Sequence, residues 1–175
     1  IDPSLLPKTG TASLSWPLDK VIITQEFGET DFSKVHTRLY SGRGHNGVDF
    51  GASVGTPIKA AADGVVLGTG HTVTVCPGAS YGKWVFIQHN NGLSSISAHM
   101  SLIKAVEGQS VKAGEIIGYV GRTGYVTGPH LHFGLYASQG VKILSRKSIS
   151  CGGTYTMPIA SLEAYLDPLA YLPAL

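Results

Sequence analysis

The chain has 175 residues, 43% of them hydrophobic and 14% charged, with a formal net charge of +2. That length suits one domain with a real core, one that hides about two-thirds of the surface its unfolded form would expose. So small a charge argues against nucleic acid as a partner, and no run of about 18 apolar residues is available to span a membrane.

Residues 1–14 read as an N-terminal arm or linker, and residues 15–175 as one domain. The chain opens at Ile1 with neither Met nor a basic, apolar leader. It therefore reads as having lost a preceding segment, which could also have carried an anchor. From there on, Pro and Gly punctuate short segments rich in Val, Ile, Tyr and Thr, the rhythm of a mainly β domain. The expected strands are Val21–Phe27, Gly47–Phe50, Pro57–Ala60, Gly64–Thr69, Thr72–Val75, Lys83–His89, Leu93–His99, Glu115–Val120 and His130–Tyr136. Asn90-Asn91-Gly92 joins two of them as a hairpin. Helix is scarce: Ile159–Leu166 has suitable residues, and Asp167-Pro168 reads as a cap followed by proline at the first position of a short last turn. No repeat and no second domain is visible.

Seven histidines raise the question of a metal. His36, His71 and His89 are read as ordinary surface or core residues, His89 hydrogen-bonding across its hairpin. His130-Leu131-His132 differs, because residues i and i+2 of a strand project from one face and bring two imidazoles side by side. In His45-Asn46-Gly47-Val48-Asp49 the four-residue spacing would suit a helix, but Gly42, Gly44 and Gly47 oppose one. A loop carrying His45 into a short strand carrying Asp49 is the better reading. Two imidazoles and a carboxylate suit Zn²⁺, and three protein ligands leave a fourth position for water. Spacing alone does not divide the roles of His130 and His132, and His99 by itself is unremarkable.

Together these motifs resemble the lysostaphin-type (LytM-like) metallopeptidases, family M23, which are zinc endopeptidases of bacterial peptidoglycan. The resemblance runs from about Trp16 to Tyr136. It rests on His45-Asn46-Gly47-Val48-Asp49, Ser97-Ala98-His99-Met100 and Gly128-Pro129-His130-Leu131-His132-Phe133, in that order. Gly55-Thr56-Pro57, Ala61–Val66 and Val111–Gly118 also match. It implies an antiparallel β-sheet core with little helix, and one zinc ion on His45, Asp49 and His132. It assigns His99 and His130 to catalysis beside the metal, and implies an extracytoplasmic enzyme acting on peptidoglycan peptides. The HExxH motif of other zinc peptidases is absent.

Two departures lie where the family lines its groove: Glu29-Thr30-Asp31 follows Glu26-Phe27-Gly28, and Ser97 precedes the Ala-His pair. Cleavage specificity is therefore not carried over. The stretches Gly70–Tyr81 and Ala137–Met157 are longer than the family's compact core, and each holds one cysteine. That coincidence favours a Cys76–Cys151 disulfide.

Three other readings compete. A catalytically silent module that activates a cell-wall amidase would be expected to have lost ligands, and all five residues are present. A lipoyl- or biotinyl-type carrier needs a lysine at a hairpin tip, a setting that Lys104 and Lys112 lack. A protease acting on proteins is compatible with everything in the sequence. A monomer is the default expectation.

Overall fold

In the computed structural model, residues 1–35, 44–149 and 151–175 are described. Expectations that fall on His36 and Gly42 lie outside them. The strands are β1 (Ile23–Gln25), β2 (Val48–Gly51), β3 (Pro57–Lys59), β4 (Gly64–His71), β5 (Lys83–His89) and β6 (Leu93–Ile103). They continue with β7 (Ser110–Val111), β8 (Ile116–Val120), β9 (His130–Ala137), β10 (Val141–Lys147), β11 (Thr154–Ala160) and β12 (Tyr165–Leu166). The α-helix among the described residues is the five-residue α1 (Asp31–Val35).

Among the described residues, ten strands form one antiparallel sheet, ordered β1-β2-β9-β6-β5-β4-β7, with β12 on β9 and β8 linking β3 to β6. The hairpin β10–β11 forms a separate two-stranded sheet. Both faces of the main sheet are covered, which the alternation along β5 makes plain. Val85 and Ile87 enter the main core with Phe50, Leu131, Phe133 and Leu135. Trp84 and Phe86 point the other way, into a second cluster with Ile96, Tyr136, Val141 and Met157. The β10–β11 hairpin supplies the far side of that second cluster.

Most expected strands appear, with boundaries shifted by a few residues. Two expectations are corrected. Thr72–Thr74 forms a 3₁₀ turn rather than a strand. There the Thr72 hydroxyl donates to the Ala79 carbonyl and accepts from the Gly82 amide, turning the chain back on itself. The helix expected over Ile159–Leu166 is instead the end of β11, a 3₁₀ turn at Leu162–Ala164, and β12. Pairing with β10 and β9 overrides the helix preference of Leu162, Glu163 and Ala164. The last short turn is as read: Asp167 caps it by accepting from the Leu169 amide, and Pro168 opens it.

Residues before the first strand lie against the end of the chain. The Gly10 amide donates to the Ala170 carbonyl and the Leu14 amide to that of Tyr171, with Leu14 buried. Cys76 and Cys151 are paired as a disulfide across 75 residues of sequence. The bridge ties the turn between β10 and β11 to the loop after β4. A loop of this length predicts about 4 kcal/mol of stabilisation in the chain-entropy model. Replacing both cysteines by alanine is expected to lower the unfolding free energy by roughly that amount in urea titration. Two alkylated thiols in the unfolded, unreduced parent protein would contradict the pairing.

His89 is buried, with Nδ1 at 3.1 Å from the Ala62 carbonyl and Nε2 at 2.8 Å from Ser95 Oγ across the hairpin. Burial pushes it below the ordinary histidine value of 6.5. The unfolded chain therefore takes up this proton first, and stability falls as pH drops below about 6.5. Between pH 7 and pH 5 the denaturation midpoint of the parent should fall more steeply than that of His89→Gln. Parallel profiles would show that His89 does not contribute.

Candidate metal and catalytic site

The site forms where β2 and β9 lie side by side. Their antiparallel register sets Asp49 opposite His132 and Gly51 opposite His130. On β9, His130 and His132 share a face while Leu131, fully buried, joins the main core from the other. His45 precedes β2 and is tied to the loop after β1 by reciprocal backbone hydrogen bonds with Gly28. The sequence reading of His45 on a loop and Asp49 on a strand thus matches the structure.

Three ligand-type atoms converge. His132 Nδ1 lies 2.9 Å from Asp49 Oδ1, His45 Nε2 lies 3.2 Å from the same oxygen, and the two nitrogens are 3.2 Å apart. Ligands of a tetrahedral ion with bonds of about 2.0 Å stand roughly 3.3 Å apart, so this triangle has the size to hold a metal ion. All three residues are buried. Burial raises the carboxyl of Asp49, but hydrogen bonds from His132 and His45 outweigh it and hold the group well below the usual carboxylate range. The donor set is therefore anionic at one corner and imidazole at the other two.

Backbone carbonyls decide which ring nitrogens face this centre. A carbonyl oxygen only accepts, so the nitrogen beside it carries the proton. His45 Nδ1 donates to Glu26 at 2.9 Å, leaving Nε2 as the nitrogen that meets Asp49. His99 Nδ1 donates to Thr123 at 2.7 Å, and His130 Nδ1 to Gly128 at 2.9 Å. His132 alone turns Nδ1 inward, with its buried Nε2 lacking a hydrogen-bond partner among the described residues. Its ring is stacked on Tyr81, with centroids 5.6 Å apart, and the Tyr81 hydroxyl accepts from Asn46 Nδ2 at 3.0 Å.

His99 arrives by a different device. Opposite the single residue Trp84 of β5, β6 carries two, Ala98 and His99, between the pairs Val85–Ser97 and Lys83–Met100. This is a β-bulge, and His99 takes the left-handed φ of +60° within it. Its ring centroid lies 4.9 Å from that of His130 and 6.0 Å from that of His132. Burial first, and then the neighbouring His132 and His130, push His99 down to about 3. His130 is more accessible, with Nε2 3.7 Å from Asp49 Oδ2. All five residues singled out in the sequence thus line one groove of about 900 Å³. His71 and His89 do not.

A sequence model described as Peptidase family M23 matches residues 43–144, more than half of the chain. The chain belongs to that family. It is 39% identical, over 75% of its length, to the protein named DD-carboxypeptidase/endopeptidase Mpg of Neisseria meningitidis, of which the match covers 28%. Among solved structures it resembles a zinc containing peptidase from Vibrio cholerae at 31% identity and a TM-score of 0.57, over 70% of this chain and 36% of that one. It also resembles lysostaphin in solution at 26% identity and a TM-score of 0.65, over 93% of this chain and 55% of that one. The M23 match explains both the antiparallel sheet and the ordered His-Asp and His-His motifs.

Sequence reasoning missed Tyr81, Asn46 and Gly47 as parts of the site. Gly47 was legible only as a helix breaker, yet a Cβ there would stand 2.6 Å from the Phe133 carbonyl oxygen and 2.7 Å from His132 Cε1. The ring of His132 needs that space, and neither the β9 backbone nor a stacked ring can yield it. Gly47→Ala is expected to destabilise the fold by about 1–3 kcal/mol. It should also weaken metal retention, read by metal analysis of the purified protein beside its melting curve. A variant with the parent's metal content and melting temperature would refute the packing argument.

Proposed function

We propose that this domain is a zinc-dependent endopeptidase that hydrolyses peptide bonds in bacterial peptidoglycan, in stem peptides or cross-bridges. The observation that carries the reading is the triangle of His45 Nε2, Asp49 Oδ1 and His132 Nδ1, with two further histidines beside it. Two imidazoles and one carboxylate are a donor set that zinc favours, and three protein ligands leave one position open. The family and the names of its relatives support the reaction class; the chain spans 28% of the Neisseria meningitidis relative, so that protein's whole activity is not transferred. The reading puts the enzyme outside the cytoplasm, where its substrate lies.

A bound zinc ion would supply Lewis acidity, lowering the pKa of water toward roughly 7 and polarising a peptide carbonyl. The chain's own residues do the rest. His99 and His130, each anchored through Nδ1 to a backbone carbonyl, present Nε2 as the nitrogen with a lone pair. Such a nitrogen accepts a proton from the attacking water, and once protonated donates to the developing oxyanion or the leaving amine. Fixing both rings in advance removes reorientation from the chemical step. Asn46 and Tyr81 hold the His132 ring in place.

The test is mass spectrometry of fragments released from purified peptidoglycan, with and without a zinc chelator. Chelator-sensitive release of peptides is expected. His45→Ala, Asp49→Ala and His132→Ala should each lose zinc and activity together. His99→Ala and His130→Ala should retain zinc and lose about 10²–10⁴-fold in turnover. Full zinc occupancy in His132→Ala would overturn the ligand assignment, and a metal-free parent protein would favour the silent amidase-activating module.

A further inference from the structure

The β10–β11 hairpin runs past the stretch matched to the family, which ends at residue 144. It nevertheless forms a wall of the groove that holds the five site residues, through Arg146, Tyr155, Met157 and Ile159. Its turn is fixed by the Cys76–Cys151 disulfide, and the loop that follows Cys76 lines the same groove at Gly78–Tyr81. A covalent staple thus holds two walls of the groove at a set distance.

The charges along this groove are uneven. Among its described lining residues Asp49 is the one carboxylate, and it is engaged by His132 and His45. Arg146 is the one guanidinium or ammonium there, and it makes no hydrogen bond or ion pair among the described residues. It stands on an exposed strand end opposite Tyr155, near enough to Tyr81 for its charge to act on that phenol. A planar five-donor fork with nothing to bind, facing a groove whose own carboxylate is taken, is suited to a carboxylate brought in by the ligand.

We propose that Arg146 is a specificity residue that binds a free carboxylate of the peptide in the groove. The proposal rests on the endopeptidase reading above and narrows it. In a bridge of glycines the residues flanking the scissile amide carry no charge. In a direct cross-link through a diamino dicarboxylic acid, a carboxylate sits on the carbon bonded to the scissile nitrogen. The groove therefore selects directly cross-linked stem peptides over glycyl bridges.

The experiment uses the full chain and two synthetic probes. One is a stem-peptide dimer cross-linked through a diamino dicarboxylic acid with its carboxylates free; the other is the same dimer with those carboxylates amidated. Binding is measured calorimetrically, and cleavage is followed in the same samples by mass spectrometry. The parent should bind the acid dimer roughly ten-fold more tightly than the amide, as one charge-assisted contact predicts. In Arg146→Gln that ratio should fall to about one, and Arg146→Lys should keep part of it. Arg146 is exposed, so both variants should melt with the parent. A ratio unchanged by the substitution, equal binding of both dimers by the parent, or no binding of either, overturns the proposal. Arg146-dependent binding of an acid dimer that stays intact would uphold the carboxylate site and overturn the endopeptidase reading instead.

Discussion

The meeting of Asp49 with His132, around which the rest of the site is grouped, depends on the register of β2 against β9. Asp49 and His132 are 83 residues apart in sequence and directly opposite in the sheet. Because strand side chains alternate, a slip of one residue would send Asp49 into the main core and leave Val48 or Phe50 facing the histidines. The register is held by burial: Val48 and Phe50 on β2 and Leu131 and Phe133 on β9 all enter the main core from one face. Two adjacent strands with matched apolar residues on one side have only one alignment that buries them all. The polar residues on the other side are aligned as a consequence. The apolar pattern that folds the sheet is therefore also what assembles the site.

Assembly of this kind concentrates polar groups where they are costly. His45, Asp49, His99 and His132 are all buried, and burial alone would disfavour every charge they could carry. The fold answers by division of labour at each ring. Backbone carbonyls of Glu26, Thr123 and Gly128 take the Nδ1 protons of His45, His99 and His130. Glu26 lies in the loop after β1, whereas Thr123 and Gly128 share the segment between β8 and β9, so one loop orients both His99 and His130. What remains at the centre is a cluster of acceptors around one point, which a cation relieves and a proton shared with Asp49 relieves only in part. The same arrangement that costs stability in the bare chain is the one suited to a metal ion.

How much of this could be read from the sequence follows from how local each feature is. The shared face of His130 and His132 needs only the period of a strand, so it was legible. The placement of His45 before Asp49 was legible because Gly44 and Gly47 exclude a helix. What joins them to each other was not, since it is a pairing of strands far apart in the chain, and the likeness of motif order to the M23 family stood in for it. The different roles proposed for His130 and His132 rest on which nitrogen each turns inward, something no spacing encodes. His99 is similar: a bulge opposite Trp84 aims it, and neither Ala98 nor Met100 announces one. The β10–β11 hairpin was missed because Val141–Lys147 is charged and largely exposed, so it lacks the apolar alternation that marks a strand. Ile159–Leu166 failed in the opposite sense, with helix-forming residues drawn into strand pairing.

The hairpin also shows why the site can be both buried and open. A sheet covered on one face only would leave His130 and His132 beside bulk water, where hydration competes with ligands and screens charge. Covered completely, it would admit no peptide. Here the hairpin seals the lower part of that face with Val141 and Met157 against Trp84, Phe86 and Tyr136. Toward its turn Arg146, Ser148 and Tyr155 line the groove as a wall, and the disulfide to Cys76 restrains that wall from closing on the histidines or swinging clear of them. Hydrophobic contact fixes one end of the hairpin and a covalent bond the other. The groove between them is thus set by the fold before any ligand arrives, so ligand binding energy need not be spent on shaping it.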